Sequence, residues 1–159
     1  MDIPPATPTD NPGVIARPPL VYAAAFCLVL VLRWLWPMPI LGSAVGIVVG
    51  VALFVLATAF AIWGRRALKA AGTNVNPAFP TTAIVTSGPY RFTRNPLYIA
   101  LTIAYSGLTL AANTWWGVVM LAPLLAVIHV GVVLREERYL DHKFGDHYRR
   151  YRAAVRRYL

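Results

Sequence analysis

Charge is the scarcest ingredient of this 159-residue chain: Asp, Glu, Lys and Arg together make up 13 % of it, against 58 % hydrophobic residues. With a mean hydropathy of +0.57, the charges are too few to coat an ordinary water-soluble domain, and the composition is that of a membrane protein. Acids are rarer still, six against fifteen Lys and Arg for a net charge of +9, so the basic excess must gather outside the apolar segments. A single cysteine, Cys27, excludes an internal disulfide framework and any multi-cysteine zinc site, and the apolar run around it predicts a packed thiol. GxGxxG, GxxxxGK[ST], HExxH and GxSxG are all absent, which removes the common soluble nucleotide, zinc-protease and serine-hydrolase sites. His142 and His147 stand five apart and off a common helix face, so no metal site is expected. The cations sit at membrane borders without a recognition module, so no nucleic-acid partner is expected either.

What is present is organised by hydropathy. Residues 1–19 hold six of the thirteen prolines and read as a disordered tail. Four apolar segments follow at about 20–36, 41–63, 97–112 and 115–134, to be compared with the roughly 20 residues that cross a hydrocarbon core. Trp34, Trp36, Trp63, Trp115 and Trp116 fall near segment ends, as an interfacial belt requires. The connections 37–40 and 113–114 are tight turns and predict two helical hairpins. The expected fold is therefore all-α, an integral membrane bundle of four transmembrane helices with a C-terminal amphipathic cytoplasmic helix over 135–159. Residues 20–159 read as one domain. Gly46 and Gly50, with Gly42, give Gly-xxx-Gly spacings that predict close helix packing inside the bundle.

Fourteen of the fifteen cations lie in the tail, the connection 64–96 and the segment 135–159, leaving only Arg33 at the opposite end. The positive-inside rule then puts both termini and the long connection in the cytoplasm of a multi-pass protein, with a bacterial inner membrane the expected location. The number of copies that associate is left open by the sequence.

Almost all chemistry-capable residues fall in those same pieces. The connection has 33 residues, whereas helix links in bundles usually take about two to eight, and an ordered loop of that length suggests binding. It ends in GPYRFTRNPLY, residues 88–98. Asn95 is a favoured N-cap and Pro96 a favoured first helical residue, so together they start a helix at the interface. Free amides and the helix dipole there favour an anion beside the forked donor of Arg94, with Tyr98 over the same opening. Contact of Arg94 with lipid phosphate, and membership of Tyr98 in the aromatic belt, is the alternative reading. The only two glutamates, Glu136 and Glu137, follow the last apolar segment between Arg135 and Arg138. Leu140, Phe144, Tyr148, Tyr151, Val155 and Leu159 then recur at helical spacing above a basic opposite face suited to an anionic membrane surface. His129, two turns before the glutamates, reads as a hydrogen-bonded histidine within the bundle.

AGTNVNPAFPTTAIVTSGPYRFTRNPLY, followed some forty residues on by EERYLDHKFGDHYRRY, resembles the isoprenylcysteine carboxyl methyltransferase family and its bacterial relatives over about residues 60–155. The resemblance implies an integral membrane methyltransferase that holds S-adenosylmethionine in a cytoplasmic cavity formed by these two runs. By position it implies Val85, Gly88 and Tyr90 on the adenosine side, Asn95 and Tyr98 at the helix start, and Glu136 and Glu137 closing the cavity. Arg94 and Glu137 carry the catalytic expectation. Asn95 stands where that family usually has a histidine, which keeps a hydrogen-bonding side chain and removes a titratable one. The acceptor is expected to be a lipophilic or lipidated substrate, a carboxylate foremost, drawn from a membrane whose lipids are the other partner. Phospholipid N-methylation and thiol S-methylation are the alternatives within the chemistry. An NADPH-dependent membrane reductase and a lipid-binding scaffold are those outside it.

Overall fold

Long apolar runs without a break leave the chain one way to satisfy its backbone in lipid, the helix. A computed structural model describes residues 10–40, 43–77 and 79–158, and among them the regular structure is helical, with one isolated β-bridge. Helix α1 spans Pro18–Leu35, α2 Ser43–Ala70, α3 Pro96–Ala111 and α4 Trp115–Ile128. A π-turn at His129–Val133 carries α4 into α5, Leu134–Phe144, and α6 spans Asp146–Ala154. Three helical stretches are long and apolar enough to cross a membrane: Pro18–Leu35, Ala44–Ala70, and the continuous Trp115–Phe144. The apolar run of the last of these ends at Leu134, and the charged residues from Arg135 onward extend beyond it. Helix α3 is apolar but has only 16 residues, a rise of about 24 Å.

Pairing departs from the first of the two expected hairpins, while α3 and α4 do pack across their short turn. Helix α2 packs on α3, while α1 packs on α4 and on α3, so the chain neighbours α1 and α2 do not form the principal pair. Small residues explain the choice. A Cβ added to Gly46 would lie 2.7 Å from the Leu110 carbonyl oxygen, one on Gly50 would lie 2.7 Å from the Ala111 amide nitrogen, and one on Gly107 would lie 2.6 Å from the Gly50 oxygen. Backbone meets backbone along this seam, as close small-residue packing in a membrane requires. Gly42 lies outside the described residues. Gly50→Leu has no flexible neighbour to displace, and should lower stability by about 1–3 kcal/mol or more. A fall in the thermal unfolding midpoint in lipid or detergent would register it.

The two short connections are pinned to one another. Asn113 Oδ1 accepts from the Ile40 amide at 2.8 Å, the Trp115 amide donates to the Met38 carbonyl at 2.9 Å, and Trp116 Nε1 donates to the Trp36 carbonyl at 2.8 Å. They therefore share one end of the bundle, and the cation-rich pieces lie at the other.

Three expectations need correction. The proline-rich tail lies outside the described residues as far as position 9, but from Asp10 it is ordered along α5 and the π-turn. Asp10 accepts from Tyr139 Oη and Lys143 Nζ, each at 2.7 Å, the Gly13 carbonyl accepts from Arg135 at 2.8 Å, and the Ile15 amide donates to the Gly131 carbonyl. Pro18 is already helical. The terminal segment is not one helix over 135–159: Gly145, at φ +52°, breaks it between α5 and α6, and the chain is extended from Val155. A left-handed residue suits glycine and cannot continue a helix, so the unbroken apolar spacing masked the bend. Leu159 lies outside the described residues. Cys27 is exposed on the outer side of α1, not packed.

Candidate functional site

The loop leaving α2 is ordered by its own threonines and asparagines. The Thr82 amide donates to Thr73 Oγ1 at 3.0 Å, the Thr82 hydroxyl to the Gly72 carbonyl at 2.9 Å, and Asn74 Nδ2 to the Pro80 carbonyl at 2.8 Å. It then enters a single 3₁₀ turn, Gly88–Arg91. Gly88 has φ +59°, and a Cβ there would lie 3.1 Å from that of Ala67 and 3.3 Å from Trp63 Nε1. It is where the loop seats on α2.

After that turn, residues 93–95 run beside the extended C-terminal segment. Thr93 forms a parallel bridge with Arg156, the Arg94 amide donates to the Arg156 carbonyl at 2.9 Å, and Thr93 Oγ1 and Asn95 Nδ2 both donate to the Arg157 carbonyl. Asn95 occupies the N-cap position of α3 and Pro96 opens the helix as expected, but the Asn95 side chain makes no capping bond. Its amide is engaged by the C-terminal segment instead.

The paired glutamates divide. Glu137 is buried and turns toward arginines: Oε1 lies 3.0 Å from Arg94 Nη1, while Arg157 holds it with two prongs at 2.9 and 2.8 Å. Arg94 also donates to the Tyr148 hydroxyl at 3.3 Å. Glu136 turns to a cavity and accepts a 2.7 Å bond from the Tyr98 hydroxyl. Burial is the main reason that its carboxyl is pushed up to about 7, and the neighbouring Glu137 charge adds to this against the opposing Tyr98 bond. Burial likewise raises the phenols of Tyr90, Tyr148 and Tyr151.

The cavity, of about 130 Å³, is lined by Val85, Tyr90, Arg94, Asn95, Tyr98 and Glu136 among others. Six of the residues singled out in the sequence thus converge, from the loop, the start of α3 and α5. Gly88 and Glu137 do not line it; they support the wall from behind. Sequence reasoning placed Tyr148 and Tyr151 on an apolar helix face and within the second run that the resemblance puts at the cavity, but gave neither an individual role, and it gave none to Arg157. A buried carboxylate's need for cations is the signal that Glu137 offered. Tyr139 and Pro12 add a rim from α5 and the N-terminal segment.

A second space adjoins the first at Tyr98. It is a largely apolar groove of about 730 Å³ between α1, α3 and α4, walled by Ile99, Ile103, Leu125 and Ile128 and carrying His129 and Tyr158.

S-Adenosylmethionine, the cofactor that the motifs imply, fits the donor set of the smaller cavity. Arg94 Nε is buried with no hydrogen-bond partner among the described residues, an orphaned donor suited to a carboxylate. Glu136 supplies an acid for cationic or hydroxyl groups, and tyrosine rings supply apolar walls. A cavity carrying Arg94, Asn95 and Glu136 beside an apolar groove is the arrangement that the class of integral membrane methyltransferases requires. The chain belongs to the phospholipid methyltransferase family, whose model matches residues 45–147. It is accordingly an S-adenosylmethionine-dependent methyltransferase, an enzyme and not a scaffold, and its substrate is of the lipid type. The match is to this family and not specifically to the related isoprenylcysteine carboxyl methyltransferases that the motifs resemble. An uncharacterized protein of Haemophilus influenzae is 39 % identical over 66 residues, covering 40 % of this chain and 100 % of that one. No solved structure matches.

Proposed function

We propose that the protein transfers the methyl group of S-adenosylmethionine to an amine in the headgroup of a membrane lipid, at the cytoplasmic end of the bundle. The observation that carries this reading is the sharing of Tyr98 between a cavity that holds Arg94 and Glu136 and an apolar groove: a charged donor and a lipophilic acceptor can meet there. The phospholipid family match favours an amine over the carboxylate read from the motifs. The fourteen cations of the cavity end support its cytoplasmic placement in a bacterial inner membrane.

When bound, S-adenosylmethionine supplies an electrophilic methyl group on a sulfonium. Arg94, through the free Nε, would hold the carboxylate of this donor, and Glu136 would face its positive charge. Glu137 is a positioning residue, aligning the guanidinium of Arg94 from behind. Transfer of a methyl group is an in-line displacement, in which holding two reactants together is worth roughly 7–11 kcal/mol in favourable cases. Tyr90, Tyr148 and Tyr151 keep water from the cavity wall.

Labelled methyl transfer by the purified protein to a membrane lipid extract, with products separated by headgroup, tests the assignment. Label in base-stable amine lipids is expected, whereas label released by mild base as an ester would assign the carboxylate instead. Arg94→Lys should keep the fold, because Glu137 retains Arg157, yet weaken S-adenosylhomocysteine binding by roughly tenfold or more in calorimetry, since the forked donor is lost.

A further inference from the structure

The apolar groove carries few polar groups, and all but one are fully engaged with protein. Tyr22 Oη and Thr102 Oγ1 are 2.8 Å apart, Thr102 also donates to the Tyr98 carbonyl, and Tyr98 donates to Glu136. His129 is the exception. Its Nδ1 lies 2.7 Å from the Tyr158 hydroxyl, and its other ring nitrogen, Nε2, has no partner among the described residues. A histidine with one nitrogen oriented and the other bare is how a base is prepared. The helix deforms at the same point: His129 opens the π-turn His129–Val133, and the extra residue in that turn changes the direction of His129 relative to Glu136, seven positions on and roughly 10 Å along the axis.

An amine headgroup reaches the site protonated and cannot attack until it has lost a proton. We propose that His129, held by Tyr158, takes that proton from the acceptor at the groove's end. The ammonium N–H bond breaks, its proton passes to Nε2 and its electron pair stays on nitrogen. That pair forms the new N–C bond as the methyl–sulfur bond breaks and its electrons return to sulfur, leaving the neutral thioether. The titratable groups that share the groove with this histidine are Tyr22 from α1, Tyr98 from α3 and Tyr158 from the C-terminal segment, the last in contact with it. No carboxylate lines the groove among the described residues, and the nearby Arg157 is paired with Glu137. The inference rests on the amine reading above. For a carboxylate acceptor no proton need be taken.

The experiment measures transfer to a phospholipid with a primary-amine headgroup in mixed micelles, for the wild type, His129→Asn and Tyr158→Phe, as a function of pH. Asparagine can keep a bond to Tyr158 while removing Nε2. His129→Asn should lose roughly 10²-fold in kcat or more, and recover toward wild type as the pH approaches the amine's own pKa. Its S-adenosylhomocysteine affinity should stay within twofold of wild type, a check that the fold is intact. Tyr158→Phe should lower kcat less and flatten the pH profile. A wild-type rate for His129→Asn, or a deficit that does not shrink at high pH, overturns the role of His129 alone. Failure of the wild type to methylate the amine lipid overturns the amine reading and the base with it.

Discussion

Glu137→Ala should destabilise the protein by about 3–5 kcal/mol, the cost of leaving a buried ion-pair partner uncompensated. Two arginines depend on this one carboxylate. Arg94 is as buried as Glu137 itself, each side chain 9 % exposed, whereas Arg157 is 37 % exposed and can recover part of its loss in water. The expected result is a lower unfolding midpoint in lipid, together with proteolytic sensitivity just beyond Ala154, where the extended segment would lose its attachment. Glu137→Gln, which keeps the shape and some hydrogen bonding, should fall between the two. A wild-type midpoint and protease pattern for Glu137→Ala would mean that the triad is not what holds the C-terminal segment.

Glu136 should behave differently, affecting binding more than folding. With its carboxyl at about 7, against an ordinary 4.5, this group is neutral over much of the mildly acidic range. A bound sulfonium favours the ionised form, so below about pH 7 affinity for S-adenosylmethionine should fall, by at most tenfold per pH unit. S-Adenosylhomocysteine, lacking the sulfonium charge, should show a weaker dependence. The stability of the protein itself runs in the opposite direction: a raised carboxyl contributes most below pH 4.5, and that contribution is lost as pH rises through 7. Glu136→Gln should abolish the difference between the two ligands' pH profiles and cost roughly 10- to 100-fold in S-adenosylmethionine affinity, as loss of a charged hydrogen-bonding partner does. Calorimetric titration of both ligands across neutral pH is the measurement, and equal slopes for the wild type would remove Glu136 from the cation site.

Residues whose roles are local were legible in the sequence. Pro96 starts α3 because its missing amide proton is one the helix does not use. The glutamate pair stood out because a basic segment had no need of acids, and the loop beside Arg94 was too long for a mere link. What the sequence could not reveal depends on partners far along the chain. Which glutamate faces the cavity follows from where Arg157 sits, and Arg157 is placed by the Thr93–Arg156 bridge. The order of residues 10–17 follows from Tyr139 and Lys143, more than a hundred positions on. The preference of α2 for α3 follows from Gly107 meeting Gly50, a match that no spacing within α2 discloses. The break at Gly145 leaves the apolar period intact, so only the backbone reveals it.

The parallel contact of residues 93–95 with Arg156 and Arg157 has a consequence for biosynthesis. Every helix of the bundle is translated before those two residues emerge from the ribosome, so the spans can enter the bilayer while Arg94 and Glu137 still lack their third member. The donor pocket closes only as this segment, made after the helices it joins, is set in place. Nascent chains halted before Arg156 should be membrane-inserted and helical, but unable to retain the nucleoside.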